Sequence, residues 1–392
     1  MESTLEDGLI VVEGDSLLSP LGLSPEETFR AVRAGKSALR RYEGLWGIPE
    51  PFIASLFEAG TIDRACAQRW SPEQTAACSE FERMAILAAS LALEKAGIDP
   101  ASERVLFFLS TTKGNVARLE VENRLCDEVL PGCSARRIAA FFHNTNQPIV
   151  VSNACTSGLC AQISAMRALR SGRCDHAVVI GAEQQSKFIV SGFQSFKALA
   201  AEPCRPFDRN RSGLNPGEAA AALVFTRRRR AEVDPEAWVA CRGAIRNDAN
   251  HISGPSRTGE GCWRALRAVM QGEDPRQLAF ISAHGTATPY NDEMEAIAID
   301  RAGLAEVPVG GWKGYFGHTM GAAGVLETIL SMRAAEAGEL PGTRGYAECG
   351  VSRPLRISAA ATPLTRGCFL KMLSGFGGCN AAMLFKQAKE LC

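Results

Sequence analysis

The residues of this chain that can do chemistry are a cysteine and two histidines, each set at the end of an apolar run. Segment 148–158 reads Pro-Ile-Val-Val-Ser-Asn-Ala-Cys-Thr-Ser-Gly, a strand turning into a helix with Cys155 at the turn. A helix N-terminus offers unpaired N–H groups and a partial positive charge. Both favour thiolate over thiol, so the position predicts a lowered cysteine pKa. The same N–H groups can hold the oxyanion of an attached acyl group. The alternative is a buried, inert thiol, which describes most of the other cysteines among the 14.

Five histidines occur: His143, His176, His251, His284 and His318. His176 lies inside an apolar strand and reads as structural, while His143 and His251 fall in polar loops. His284 closes the run Ala279-Phe-Ile-Ser-Ala-His and opens a small-residue loop, Gly285-Thr-Ala-Thr288. His318 lies in Lys313-Gly-Tyr-Phe-Gly-His-Thr-Met-Gly-Ala-Ala-Gly324, ahead of another helix. A histidine in a glycine-rich loop can approach a ligand closely. Singly, each could be a satisfied surface histidine; with Cys155 they make one thiol and two imidazoles. No CxxC or HExxH spacing occurs, so no metal site is expected.

Those side chains need elements to hold them. β-branched runs predict strands over 9–12, 104–110, 149–153, 176–182, 219–225, 239–247, 278–283, 369–373 and 381–385. Helices are predicted over 25–34, 80–96, 157–171, 262–270, 292–302 and 322–337. In the third of these, Leu159, Ile163, Met166 and Leu169 recur at helical spacing. Apolar strands alternating with helices imply sheets covered on both faces, hence an α/β layered class. No repeat of 20–50 residues is visible; a twofold duplication too weak for identity matching stays open.

The chain has 392 residues and a formal net charge of +0, which gives no reason to expect nucleic acid or an anionic membrane as partner. No apolar run is long enough for a transmembrane helix. The start, Met1 to Gly8, is acidic and lacks a basic, apolar leader, so a cytoplasmic protein is expected. Its cysteines would then be mostly buried thiols rather than disulfides. The run Arg227–Arg230 reads as a solvated turn rather than an anion site.

Taken in order, these motifs resemble the elongating β-ketoacyl-(acyl carrier protein) synthases, the Cys-His-His type of the thiolase-like fold. The resemblance runs nearly end to end. It is carried by Gly14…Ser19-Pro-Leu-Gly22…Gly35-Lys-Ser37, the Cys155 turn, and Arg205-Pro-Phe-Asp-Arg-Asn-Arg-Ser-Gly213…Gly217-Glu218. His284-Gly-Thr-Ala-Thr288 with Asn291, Asp292 and Glu295, then Lys313…Gly317-His318, and last Gly375-Phe-Gly-Gly-Cys-Asn380 complete it. The resemblance implies an α-β-α-β-α fold of two similar mixed-sheet halves, 1–240 with the nucleophile and 241–392 with both histidines.

It also implies roles. Cys155 would accept an acyl chain from a carrier thioester. His284 and His318 would polarise the malonyl thioester and stabilise the enolate left by loss of CO2. Lys313 would orient the site with Glu295 as its ion-pair partner. Thr286 and Thr288 would bind the phosphopantetheine arm, and Phe376, with Gly377 beside it, would gate the nucleophile. The N–H groups of Cys155 and Phe376 would form the oxyanion hole. No cofactor is implied beyond the carrier's phosphopantetheine. The implied partners are an acyl carrier protein, docking near Lys113, Arg118 or Arg257, and a second synthase chain in a homodimer or a heterodimer. Asp15-Ser-Leu17 matches a carrier attachment tripeptide, but it sits inside the first synthase motif and is given no such role.

The chain departs from the family pattern at Lys313-Gly-Tyr-Phe, at Cys379, after Glu218 and at Ser110-Thr-Thr-Lys-Gly-Asn115, changes expected at the pocket wall and its flanking loops. Two other readings compete: a non-condensing chain-length factor, disfavoured by retention of all three residues, and a thiolase or priming synthase using acyl-CoA, disfavoured by the second histidine. A Cys-His hydrolase lacks the local cysteine-protease signatures.

Overall fold

The computed structural model describes residues 8–122 and 124–391. Among them, eleven strands form one large sheet: β1 (Gly8–Leu18), β2 (Val105–Ser110), β3 (Ile149–Val151), β4 (His176–Glu183), β5 (Ala219–Arg229), β6 (Trp238–Asn247), β7 (Phe280–Ser282), β8 (Pro308–Gly310), β9 (Arg356–Ile357), β10 (Cys368–Gly375) and β11 (Cys379–Gln387). Their spatial order is β9-β8-β7-β10-β11-β6-β1-β5-β4-β2-β3. β1 and β6 meet at one pairing, Val11 with Val239, and the chain repeats its topology on either side of that seam. Counting strands along the chain in each half, the order inward is third, second, fourth, fifth, first, with β9 added outside β8. In both halves the second strand runs parallel to the third and fourth, and the fifth runs antiparallel to the fourth and first. The duplication that the sequence left open is therefore present in the topology.

Side-chain alternation builds the layers. Val105, Phe107 and Leu109 of β2 pack into a core with helix α1 (Glu80–Ala96), whereas Leu106 and Phe108 face the core shared with helices α2 (Ser157–Arg170) and α5 (Ala323–Glu336). In the other half, Leu370 and Met372 of β10 face helices α3 (Glu260–Val269) and α4 (Pro289–Arg301), while Phe369 and Leu373 face the central layer. The pleat sends alternate residues to different cores, and both cores are apolar. That is why these strands read as unbroken apolar runs. The result is helix, half-sheet, helix pair, half-sheet, helix, the two half-sheets being joined at the β1–β6 seam.

The central pair, α2 and α5, each follow the third strand of a half. Both are buried on most sides, as a central layer requires. They touch at their first turns, where Gly158 faces Gly324: a Cβ on Gly324 would lie 2.4 Å from the Leu159 nitrogen. This contact brings the loops before the two helices together, and those loops carry Cys155 and His318.

Every predicted strand and helix is present, with ends shifted by a few residues. Strands β8 and β9 and helices Pro131–Phe141 and Lys187–Ser195 were not anticipated. Ser16 is sealed, its hydroxyl donating to the Ala88 carbonyl at 2.5 Å, so it presents no attachment site. The arginine run is not the expected turn: Arg227–Arg229 end strand β5, with Arg228 pairing Glu13 and Arg229 pairing Glu232. No described helix is long and apolar enough to cross a membrane.

Candidate active site

Cys155, His284 and His318 reach one point from three separate loops. Cys155 follows β3, His284 follows β7, and His318 follows β8. One donor atom from each lies within 4.8 Å of the other two. The imidazole rings meet edge to face, 5.0 Å apart at 78°. Each loop holds a non-glycine residue in the left-handed region: Ala154 at φ 47°, Ala287 at φ 61° and Met320 at φ 42°. Such backbone costs about 1–3 kcal/mol per residue and persists only where the surroundings impose it. Here each lies within three residues of a member of the trio.

The rings are held neutral. Burial pushes both imidazole pKa values well below the ordinary 6.5, and the nearby Lys313 charge pushes the same way. The Met320 N–H donates to His318 Nδ1 at 3.2 Å, so in the neutral ring the proton sits on Nε2. Nε2 is buried and has no protein partner among the described residues, so a lone N–H points into the site. His284 Nδ1 is likewise buried and unpartnered. On distance alone the trio would suit a soft divalent cation. The His318 tautomer, however, offers a proton where a metal needs a lone pair, and Lys313 adds positive charge beside it.

The thiol departs from the expectation of a lowered pKa. Burial dominates and pushes Cys155 up to about 11, with Lys313 and Lys113 pulling against it. The sulfur therefore rests as a thiol and must lose its proton as it attacks. The N–H groups of Cys155 and Phe376 make no hydrogen bond among the described residues, which leaves both free for an oxyanion. The loop bearing Phe376 lies hard against the cysteine: a Cβ on Gly375 would come 3.1 Å from the Cys155 nitrogen.

Lys313 and Glu295 both lie at the site, but they are not the expected ion pair. Lys313 Nζ pairs with Glu327 at 2.7 Å and donates to the His284 carbonyl at 2.5 Å. Glu295 instead accepts the backbone N–H of His284 and of Gly285, each at 2.7 Å, and its burial raises its pKa to about 7. The sequence reading missed Glu327 because nothing in the apolar helix α5 marks one acid as special. It also missed Lys371, buried on β10, which pairs with the other Glu327 oxygen at 2.6 Å. Lys371 donates to the Ser282 and Ala283 carbonyls at 3.1 Å, and burial pulls its pKa down to about 8. Two lysines and one glutamate thus fasten the backbone on both sides of Ala283 and His284. A lone lysine in an apolar strand was the available signal.

The trio opens onto a cavity of about 420 Å³ that Thr286, Thr288, Phe376 and Gly377 line, as the resemblance implied. The two threonine hydroxyls hydrogen-bond each other at 2.9 Å. Phe376 packs against Phe193 and Phe196, ring centres 6.2 and 5.4 Å away, and these three also wall a second cavity of about 730 Å³. Not every departure from the family pattern reaches the pocket. Tyr315 and Phe316 turn into the core, 4% and 1% exposed, with the tyrosine hydroxyl on the Gly342 carbonyl. Cys379 donates to Asn153 Oδ1 at 2.9 Å, tying the Phe376 loop to the cysteine loop.

Comparison with known proteins gives the family. The family profile "Beta-ketoacyl synthase, N-terminal domain" matches residues 8–231, and "Beta-ketoacyl synthase, C-terminal domain" matches residues 239–347. The chain is 30% identical to the tetracenomycin polyketide synthase ketoacyl synthase alpha subunit of Streptomyces glaucescens, over 97% of each. It is 28% identical to 3-oxoacyl-[acyl-carrier-protein] synthase 2 of Vibrio cholerae, over 96% of this chain and 99% of that one. Among solved structures, a beta-ketoacyl synthase from Burkholderia phymatum superposes with a TM-score of 0.86 at 23% identity, covering 97% of this chain and 99% of that one. The ishigamide ketosynthase/chain length factor superposes at 0.85 with 25% identity, covering 97% and 99%. Two matching profiles and relatives spanning nearly the whole chain, over a thiolase-like layered fold, place this protein in the beta-ketoacyl synthase family.

Proposed function

We propose that the chain is a decarboxylative condensing enzyme that loads an acyl group onto Cys155 and joins it to a malonyl group carried by an acyl carrier protein. The observation that carries this is the meeting of one thiol and two neutral imidazoles within 4.8 Å, beside a cavity. In the first half-reaction the Cys155 sulfur attacks the acyl thioester, its proton goes to the neutral His284 imidazole and passes from there to the departing carrier sulfur, so the carrier leaves as a thiol and the ring is neutral again. The Cys155 and Phe376 N–H groups hold the oxyanion. In the second, malonyl thioester loses CO2, and the inward N–H of His318 together with His284 stabilises the enolate oxygen. The enolate carbon then attacks the acyl-cysteine and frees the sulfur as thiolate, which takes one proton from solvent to regenerate the thiol. Decarboxylation supplies the carbanion, so the reaction requires no metal or redox cofactor, and the covalent acyl-enzyme implies ping-pong kinetics.

The partners follow from the same reading. A solved ketosynthase with 19% identity is bound to an acyl carrier protein, and others are paired with a chain length factor. For this chain, exposed Arg257, beside the 251–255 loop that lines the cavity, and exposed Lys197 would meet an acidic carrier. Arg118 is already paired with Glu122 at 3.0 Å. We place the enzyme in the cytoplasm, acting as a dimer with itself or with a related chain. The reading is tested by offering malonyl-carrier with a ladder of acyl-carrier thioesters. An acyl adduct on Cys155 followed by a 3-oxoacyl product is expected; a chain that binds both yet forms neither is a non-condensing partner instead.

A further inference from the structure

The two halves place different residues after their second strands. In the second half β7 leads to His284; in the first half the equivalent strand, β2, leads to Lys113. We propose that Lys113 is a specificity-determining residue of the acyl site, and that the chain held on Cys155 carries acceptor oxygens, as keto groups or a terminal carboxylate, rather than being a plain hydrocarbon. This rests on the reading of Cys155 as the acyl carrier residue and names the class of acyl group it takes.

Three observations support it. Lys113 is half-buried and lines the second cavity beside Phe188, Phe193, Phe196 and Phe376, the last three shared with the cavity of Cys155. Its ammonium has three donors, and the only hydrogen-bond partner it has among the described residues is Thr112 Oγ1 at 3.1 Å; its charge acts on the Glu183 carboxylate without an ion-pair contact. The nearby Glu183 is already committed, one oxygen to the Thr112 hydroxyl and the other to the N–H groups of Thr112 and Gly321. Lys187 and Glu120 also border this cavity, but both are exposed at its rim, and Glu120 accepts the Phe188 N–H. The Lys113 charge also reaches inward, acting on both the Cys155 thiol and the His318 ring. An alkyl chain filling this space would strip water from an unpaired ammonium and return nothing. A chain with oxygens along it would give those N–H groups acceptors.

The test is competitive loading of Cys155 with N-acetylcysteamine thioesters of equal length: hexanoyl, 5-oxohexanoyl and adipoyl, read by intact-protein mass spectrometry. The native protein is expected to load an oxygenated chain about tenfold or more faster than hexanoyl. Lys113→Met should reverse that preference without changing the melting temperature. Lys113→Gln separates the two sources of oxygen: it keeps a preference for the keto chain and loses one for the carboxylate. Equal loading of all three chains by the native protein, or an unchanged ratio in Lys113→Met, overturns this proposal alone. Failure of every chain to load in any of the three proteins overturns it together with the acyl-enzyme reading.

Discussion

The two halves of this protein share one strand order yet carry different reactive residues on their corresponding loops. After the third strand, the first half presents Cys155 and the second presents His318; each is followed by a buried central helix, and those helices touch through Gly158 and Gly324. After the fourth strand the contrast is in length. Residues 184–218 intervene before β5 and bring Phe193 and Phe196 to the cavity, whereas a short turn from β10 to β11 carries Phe376. A duplicated scaffold delivers loops to one centre from both sides. Divergence of the loops then puts the Cys155 sulfur on one side and the His284 and His318 rings on the other; in the proposed reaction the sulfur holds the electrophile and the rings stabilise the enolate.

The proposed division predicts that mutations split by half. The largest effect is Cys155→Ala: condensation and acyl adduct are abolished, while the fold and slow decarboxylation of malonyl thioester survive. Loss of decarboxylation along with loading would break the comparison. His318→Ala, which removes the fixed inward N–H, should lower decarboxylation about 10²–10³-fold and leave acyl loading less affected. His284→Ala should act in the same direction. Loading that fails while decarboxylation persists would reverse the assignment of roles.

Smaller effects probe how the second half holds its rings. Lys371→Met removes one arm of the Lys313–Glu327–Lys371 cluster and two donors to the strand before His284. It should cost about 3 kcal/mol in stability, read by denaturant unfolding, and slow decarboxylation more than loading. The smallest expected effect is on pH dependence. Both imidazoles are held well below 6.5, so acidification through 6.5 does not charge them and should not remove the neutral donors. Glu295, raised to about 7, titrates between Asp292, raised to about 6, and Lys371, lowered to about 8. In Glu295→Gln the decarboxylation rate should therefore lose any limb near 7, leaving changes only near 8 and near 6; an acid limb near 6.5 would mean ordinary imidazoles and an open, hydrated site.

The order of apolar runs and the residue types at their ends were enough to give the α/β class, most of the strands and the identity of the trio. Covered strands must be apolar throughout, and reactive side chains are affordable only where a strand stops. The same sequence could not give Glu327 as the partner of Lys313, because both Glu295 and Glu327 stand within 20 residues of it and only the packing of helix α5 against the site chooses between them. Nor could it give the thiol's raised pKa: a helix N-terminus is visible in sequence, but the desolvation that outweighs it comes from packed neighbours. The inward proton of His318 depends on one backbone N–H two residues away, and the setting of Lys113 on helices far along the chain. Residue types are local and survive in the sequence. Burial, partner choice and protonation are set by what tertiary packing brings alongside, and only the folded chain decides them.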